Sequence, residues 1–182
     1  MIGSLHPEPA VSRPDLLAPA VVEALARWKG WVPVGEIAVA EIDPAVADTA
    51  EFCARYGVAP EESANCVVVA GRRGAEMRMA ACVVLATTRA DVNGLVRRRL
   101  DARKASFAPI DLAVAETGME YGGITPIGLP DGWPILVDAA VVATSRVVVG
   151  SGVRRSKLVL PGAALAEIPG AEVLPGLGQP QP

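Results

Sequence analysis

Histidine is almost absent from this sequence of 182 residues, and its scarcity excludes several kinds of active site. The one histidine, His6, stands between Leu5 and Pro7 in a proline-rich stretch that is poorly suited to precise catalytic geometry. Because there is no second imidazole, the chain cannot build a Ser-His-Asp triad, a Cys-His pair or an H-E-x-x-H zinc site elsewhere. An enzyme with this sequence must work without histidine as general base.

Cysteine is also scarce. The three cysteines, Cys53, Cys66 and Cys82, are odd in number and show no C-x-x-C spacing. This pattern supports neither a disulfide framework nor a zinc site. It is typical of small buried apolar residues in a reducing compartment. We therefore predict no bound metal and no cofactor.

Long apolar runs are missing too. The longest, such as residues 139–143, fall far short of the roughly 20 residues that a membrane span needs. The stretch from Met1 to Arg13 lacks the charged and apolar regions of a secretory signal. We expect a cytoplasmic protein with no membrane partner.

Apolar residues make up 51% of the chain, although aromatic residues contribute only 4%. Short valine runs alternate with alanine-rich amphipathic stretches, which favours a mixed α/β fold in one domain. Prolines at positions 7, 9 and 14 predict a flexible leader over residues 1–14. The domain itself is expected over residues 15–170, followed by a fraying Pro/Gly-rich tail over residues 171–182.

Hydrophobic spacing and capping residues predict the order of helices and strands. Helices are expected from Pro19, over 44–56, 91–103 and 109–117, and from Pro161. A hairpin is expected over 66–70 and 77–86, and further strands over 135–138, 146–149 and 157–160.

The net charge is −3, so general binding of nucleic acid, including DNA, is not expected. Basic residues nevertheless form two clusters. The first cluster is Arg97, Arg98, Arg99, Arg103 and Lys104, and the second cluster is Arg154, Arg155 and Lys157. Such clusters can hold the phosphates of one RNA arm, but they are equally compatible with a solvated helix face and a polar turn. We predict tRNA binding through Arg97, Arg98, Arg103 and Lys104.

The segment Gly122, Gly123, Ile124, Thr125 and Pro126 is the most informative stretch. Adjacent glycines let a ligand approach the main chain closely, and Pro126 stiffens the loop. Amide donors held in place are what an ester hydrolase without histidine needs to stabilise an oxyanion. The alternative interpretation is a tight connection between a helix and a strand.

Several short motifs occur in the order and spacing of a known family. They are residues 54–57 with 60–62, residues 104–109, 117–118 and 122–126, residues 135–138, and residues 150–152 followed by 154–155. Over roughly residues 35–170 the chain resembles the YbaK/EbsC family, whose members are related to the editing domain of bacterial prolyl-tRNA synthetases.

The resemblance implies an α/β domain with a mixed sheet curled towards a barrel and helices outside. It implies hydrolysis of tRNA charged with a wrong small amino acid, without metal, with the terminal ribose hydroxyl helping to activate water. Aminoacyl-tRNA is then the substrate, and an aminoacyl-tRNA synthetase is a candidate partner. Carried over by position, the loop residues Gly122–Pro126 are catalytic, and Asp138, Gly150, Ser151 and Gly152 line the pocket. Asp138 can equally be a structural carboxylate that ties strand ends together.

The sequence departs from the family pattern at Asn65-Cys66, where many members carry a lysine followed by threonine or serine. By position Asn65 is expected among the catalytic residues, with its side chain pointing into the pocket. It offers a neutral amide in place of a positive charge, which predicts a different range of substrates. The alternatives are a tRNA- or metabolite-binding module without activity. Cys66 is expected to contact substrate; as a nucleophile, its thiol would need a nearby cation to lower its pKa.

Overall fold

The computed structural model describes residues 2–181, in which two principal β-sheets form the framework. The strands are β1 (Glu8–Pro9), β2 (Ala38–Glu41), β3 (Ala64–Arg73), β4 (Glu76–Leu85), β5 (Thr88–Ala90), β6 (Lys104–Phe107), β7 (Ile135–Asp138), β8 (Val147–Gly150), β9 (Ser156–Leu160), β10 (Ala171–Leu174) and β11 (Gly178–Pro180). The α-helices are α1 (Pro19–Ala26), α2 (Thr49–Tyr56), α3 (Arg97–Arg99), α4 (Ile110–Thr117) and α5 (Ala139–Ala143).

One sheet has four strands in the order β1-β2-β9-β8, and the other has five in the order β10-β7-β4-β3-β6. Strand β7 runs parallel to both β4 and β10, and the remaining pairs are antiparallel. A third sheet consists of β5 and β11. The mixed α/β class is confirmed. The expected single sheet curled towards a barrel is replaced by three sheets, and one bridge between Ser63 and Val148 joins the two large ones.

Several helix boundaries follow from residues that the sequence shows directly. Helix α1 has Pro19 at its first turn, where a missing N–H costs nothing. Helices α2 and α4 end at Gly57 and Gly118, whose φ angles of 64° and 65° are left-handed. Asp43 caps the short turn Pro44–Val46 by accepting the N–H of Ala45. The expected helix over 44–56 is therefore split, and α2 begins only at Thr49.

The segment expected as one helix over 91–103 is also divided. Val92–Val96 forms a turn of π-helix, α3 adds three residues, and β6 follows. The Asp91 carboxylate accepts the N–H groups of Gly94 and Leu95, which favours the wider turn, and Asp101 with a φ of 51° ends the helix. The basic residues Arg103 and Lys104 therefore lie on an edge strand and its approach.

Both chain ends contribute strands to the fold, whereas proline and glycine content predicted a flexible leader and a fraying tail. Ile2, Leu5 and Ala10 are buried, and β1 pairs with β2. At the other end, β10 extends the five-stranded sheet and β11 pairs with β5. Prolines suit such edge positions because they need no ladder N–H. No helix within residues 2–181 is long and apolar enough to cross a membrane.

Candidate functional site

A cavity of about 480 Å³ opens where the two large sheets meet. The start of β3, the entrance to α2, and the junction between β6 and α4 form three of its walls. The segment Tyr121–Ile124, strand β8 and Lys157 of β9 complete it. The bridge between Ser63 and Val148 holds β3 beside β8 at this point.

Five of the predicted site residues line this cavity. They are Asn65, Cys66, Gly122, Ile124 and Gly150. They come from β3, from the glycine-containing loop and from the end of β8, which are far apart in the sequence. The structure thus brings together the loop and the position at which the chain departs from the family pattern.

The glycines of the loop are needed for backbone packing. A Cβ atom on Gly123 would lie 2.6 Å from the carbonyl carbon of Val153, and one on Gly150 would clash with the carbonyl oxygens of Gly123 and Ile124. Gly122 has a φ of 81°, and a Cβ there would meet the guanidinium of Arg154. The loop therefore lies directly on the turn between β8 and β9, which holds its backbone in place.

Not every amide of the loop is available to a substrate. The Gly123 N–H donates to the carbonyl of Glu120 at 2.9 Å, and the Gly123 carbonyl accepts the N–H of Gly152 at 2.7 Å. The Gly123 amide is therefore engaged within the protein, and the catalytic role expected of this residue stays a prediction. The N–H groups of Gly122 and Ile124 have no acceptor within residues 2–181.

Thr125 and Pro126 do not line the cavity. Thr125 is completely buried, and its Oγ1 has no hydrogen-bond partner within the described residues. Pro126 lines a different cleft, beside helix α1. The structure therefore separates these two residues from Gly122 and Ile124, although all four belong to one predicted catalytic segment.

Asp138, Ser151 and Gly152, predicted to bind substrate, also lie outside the cavity. The Asp138 carboxylate accepts the N–H of Ala140 at 2.7 Å and that of Gly178 at 2.6 Å, and so ties the end of β7 to α5 and β11. This supports its interpretation as a structural carboxylate. Ser151 is buried and hydrogen-bonded to Ser156. Gly152, with a φ of 88°, faces α1 and the residue before it.

Asn65 is held by a neighbour in the cavity wall. The Thr49 hydroxyl donates to Asn65 Oδ1 at 2.6 Å. Because this bond occupies the acceptor end of the amide, the Nδ2 end remains available as a donor, and it has no protein acceptor within residues 2–181. Asn65 therefore presents a neutral hydrogen-bond donor where the family pattern has a lysine.

The thiol of Cys66 is unsuited to nucleophilic attack. Burial raises the pKa of this thiol, and the nearby Cys82 raises it further. A thiol whose pKa is raised is protonated at neutral pH, and only the thiolate is a strong nucleophile. The alternative interpretation of Cys66 as a nucleophile therefore has no support in its surroundings.

Lys157 lines the cavity, although its sequence pattern indicated only membership of the second basic cluster. It lies in β9 between β2 and β8, and only 8% of it is exposed. The pKa of its ammonium is lowered to about 8, chiefly by burial and also by the charge of Arg154, while Asp48 and Cys53 act to raise it. Its Nζ lies 3.5 Å from the carbonyl oxygen of Gly122. The strand that carries it, Ser156–Leu160, is buried along its whole length, which its sequence does not reveal.

The other members of the second cluster hold the structure together. Arg154 donates to Asp48 Oδ1 at 3.2 Å and to the carbonyls of Tyr121 and Pro44 at 3.3 and 3.2 Å. It thereby joins two sides of the cavity mouth. Arg155 donates to the carbonyl of Asp15. These arginines are engaged within the protein.

The first cluster surrounds a separate groove of about 530 Å³. Arg97, Arg103 and Lys104 line it together with Arg72, which belongs to neither cluster. Arg98 does not line the groove. Arg103 and Lys104 are exposed, and neither forms a salt bridge within residues 2–181.

Large apolar side chains surround the opening of the cavity. Phe107, Ile110 and Tyr121 are 60%, 50% and 57% exposed, and all three belong to its lining. Phe107 and Lys104 are the two ends of β6, so this edge strand connects the rim of the cavity to the basic groove.

Within residues 2–181, no group of three or more His, Cys, Asp or Glu side chains is placed so that it could hold a metal ion.

Similarity to other proteins agrees with this geometry. The structure of a protein proposed to be a trans-editing enzyme for prolyl-tRNA synthetase superposes with a TM-score of 0.72 at 21% identity, covering 90% of this chain and 99% of that chain. A hypothetical protein superposes with a TM-score of 0.68 at 23% identity, covering 78% and 90%. These likenesses establish the fold.

No curated protein sequence matches the chain. The family model of the aminoacyl-tRNA editing domain matches residues 43–168, which contain every residue of the cavity lining. The chain therefore belongs to the aminoacyl-tRNA editing domain family.

Proposed function

We propose that this protein hydrolyses the ester bond of tRNA that carries a wrong, small amino acid. The observation that carries the proposal is the cavity between β3, β8 and the glycine loop, because it lies entirely within the span of the editing domain. Its inner wall includes the small or branched apolar residues Val68, Ala113 and Val148. Such a wall accepts a small side chain, and it excludes a larger one by steric clash more effectively than it could reject a smaller one.

The groups around the cavity favour activation of water by the substrate itself. His6 does not line the cavity. Among the described residues, Asp48 is the one carboxylate in the cavity lining, and it is paired with Arg154. The terminal ribose hydroxyl of the tRNA is then the group closest to the ester that can help remove a proton from water. The amides of Gly122 and Ile124 can donate to the carbonyl oxygen as negative charge develops there. This mechanism requires no metal.

The rim and the groove fit the single-stranded end of a tRNA. Exposed aromatic side chains such as Phe107 and Tyr121 are suitable platforms for a base. The strand from Phe107 to Lys104 spans about 10 Å, which is one to two nucleotides of extended RNA. Arg103 and Lys104, with Arg97, would then contact the preceding phosphates.

Deacylation assays on a panel of mischarged tRNAs test the proposed function. The panel should contain alanyl- and cysteinyl-tRNA specific for proline, correctly charged prolyl-tRNA, and tRNAs carrying other small amino acids. We expect hydrolysis of at least one mischarged species and sparing of prolyl-tRNA, with equal rates in the presence of a metal chelator. Tight tRNA binding without turnover of any substrate would contradict the proposal and select the binding-module alternative. Adding prolyl-tRNA synthetase to the assay examines the candidate partner.

A further inference from the structure

A buried lysine without an acidic partner is the feature of the cavity that its packing does not explain. Lys157 is 8% exposed and forms no salt bridge within residues 2–181. Its one hydrogen bond, to the Gly122 carbonyl at 3.5 Å, is long. Burying a charge with so little compensation destabilises a protein, and such residues are concentrated at functional sites.

The surroundings of Lys157 leave its ammonium directed towards the cavity. The ring of Phe52 lies 5.5 Å from Nζ and covers one side by a cation–π contact. The charged or titratable groups near it are Arg154 in the preceding turn, and Asp48 and Cys53 at and within α2. Three N–H donors belong to one ammonium, and the protein provides an acceptor for one.

We propose that the ammonium of Lys157 donates to the carbonyl oxygen of the bound ester and stabilises the oxyanion formed during deacylation. This inference rests on the proposed function. Lys157 would supply from β9 the positive charge that Asn65 cannot supply from β3. Its Nζ lies beside Gly122, whose amide is one of the two free donors of the loop. Backbone and side-chain donors therefore lie beside one another in the cavity wall.

The opposite charges of Asp48 and Lys157 favour the same orientation of the substrate, with its carbonyl oxygen near the lysine. An esterified amino acid carries a free α-ammonium, which is repelled by Lys157 and attracted by Asp48, and both residues line the cavity. Although Asp48 is also paired with Arg154, an α-ammonium on its side of the cavity would leave Lys157 to the ester carbonyl. Such an arrangement would favour an aminoacyl ester with a free amino group.

The reaction balances without a change in Lys157. Water adds to the carbonyl carbon, and the π electrons of the carbonyl move to its oxygen, where the ammonium donates a hydrogen bond. The C–O bond to the ribose then breaks, and the proton released by water ends on the ribose oxygen. The products are the free amino acid and the tRNA hydroxyl, and the lysine retains its proton. Its pKa of about 8 keeps it predominantly charged at neutral pH.

The test compares Lys157→Gln, Lys157→Arg and the control Lys29→Gln, an exposed lysine outside the cavity. Single-turnover hydrolysis should fall about 100- to 1,000-fold in Lys157→Gln, the usual effect of removing one oxyanion donor. Lys157→Arg, which retains the charge, should hydrolyse the substrate at least tenfold faster than Lys157→Gln. The rate of Lys29→Gln should match that of the wild type. The ratio of the wild-type rate to the Lys157→Arg rate should decrease above about pH 8, as the lysine loses its proton.

A binding measurement separates this inference from the proposed function. The probe is the adenosine 3′-monoester of 1-aminoethylphosphonate, whose anionic tetrahedral phosphorus replaces the ester carbon. Calorimetry should show a loss of affinity of at least tenfold in Lys157→Gln. A dependence on Lys157 in this measurement would support the inference even if no tested tRNA were cleaved. A hydrolysis rate of Lys157→Gln within about threefold of wild type, or an unchanged affinity for the phosphonate, would overturn it. Thermal unfolding confirms that each variant is folded.

Discussion

The two basic clusters look alike in the sequence, but they lie in opposite environments. Arg103 and Lys104 of the first cluster are exposed at a groove and make no salt bridge within residues 2–181. In the second cluster, Arg154 binds both sides of the cavity mouth and Lys157 is buried in the wall of the cavity. One cluster is suited to meet a ligand at the surface, whereas the other shapes and charges the site itself.

The position of each cluster in the sheets explains the difference. Lys104 begins β6, the edge strand of the five-stranded sheet, and its side chain is exposed to solvent. Lys157 lies in β9, which is flanked by β2 and β8 and buried along its whole length. Whether a basic residue is available to an anionic partner therefore depends on strand order, which local charge density does not reveal.

The largest effect should follow from disturbing the contact between the loop and the turn that carries the second cluster. In Gly123→Ala the added Cβ would lie 2.6 Å from the carbonyl carbon of Val153. The contact is with backbone atoms of Val153, which cannot move aside as a flexible side chain can. We therefore expect the free energy of unfolding to fall by about 3 kcal/mol. Urea unfolding measures it, with Gly35→Ala as control, since no atom lies within 4 Å of a Cβ at that position. Equal stability of the two variants would show that the turn does not hold the loop.

The second prediction has the opposite sign. Replacing Lys157 by methionine removes a buried charge while retaining the length of the side chain, and we expect stabilisation on the order of 2 kcal/mol at pH 7. Lys104→Met, at the exposed end of the first cluster, should change stability by less than about 0.5 kcal/mol. Urea unfolding of both variants makes the comparison directly.

The stability gained in Lys157→Met should depend on pH. The folded-state pKa of Lys157 is about 8, below the 10.5 of an unperturbed lysine. Below pH 8 both states are protonated and the burial penalty is complete; between pH 8 and 10.5 only the unfolded chain retains the proton, so wild-type stability rises. The advantage of the methionine variant should therefore shrink towards pH 10.5. An advantage that stays constant over this interval would mean that burial does not perturb Lys157.

A third, smaller effect on kcat/KM is expected at position 65. Variants there test whether the positive charge of the cavity must come from Lys157 of the second cluster or can also be supplied from β3. Asn65→Ala removes the partner of Thr49 and a donor to substrate, and should lower kcat/KM by about 1–2 kcal/mol of transition-state stabilisation. In the double variant Asn65→Lys/Lys157→Gln, a lysine on β3 would face the same cavity, and part of the rate lost in Lys157→Gln should return. If kcat/KM is unaffected by either change on every substrate that the wild type cleaves, position 65 is not in the active site.

Local chemistry made part of this architecture predictable. Pro19, Gly57 and Gly118 determine helix boundaries through backbone preferences that need no knowledge of the fold. The motif order also led to the prediction that Asn65 and the loop at Gly122 belong to one site, and the structure places both in the lining of one cavity. The burial of Lys157 was not predictable in this way, because it depends on the two strands that flank β9. Strand β2 lies more than a hundred residues earlier in the chain, and β8 lies about ten residues earlier. The order at both chain ends likewise depends on pairing with distant strands.

The smallest effect on the protein itself is expected at the first cluster, where the consequence should appear only with RNA present. Arg103→Ala and Lys104→Ala alter exposed side chains that line the groove, whereas Arg98→Ala alters one that does not. If the groove binds tRNA phosphates, each of the first two changes should reduce the slope of log Kd against log salt concentration by roughly one unit or slightly less. The same two variants should hydrolyse an aminoacyl-adenosine at the wild-type rate, because that substrate has no phosphate to reach the groove. Arg98→Ala should leave the slope unchanged. Equal slopes in all three variants would make the first cluster a solvated surface, and RNA contact would then have to be sought at the aromatic rim of the cavity.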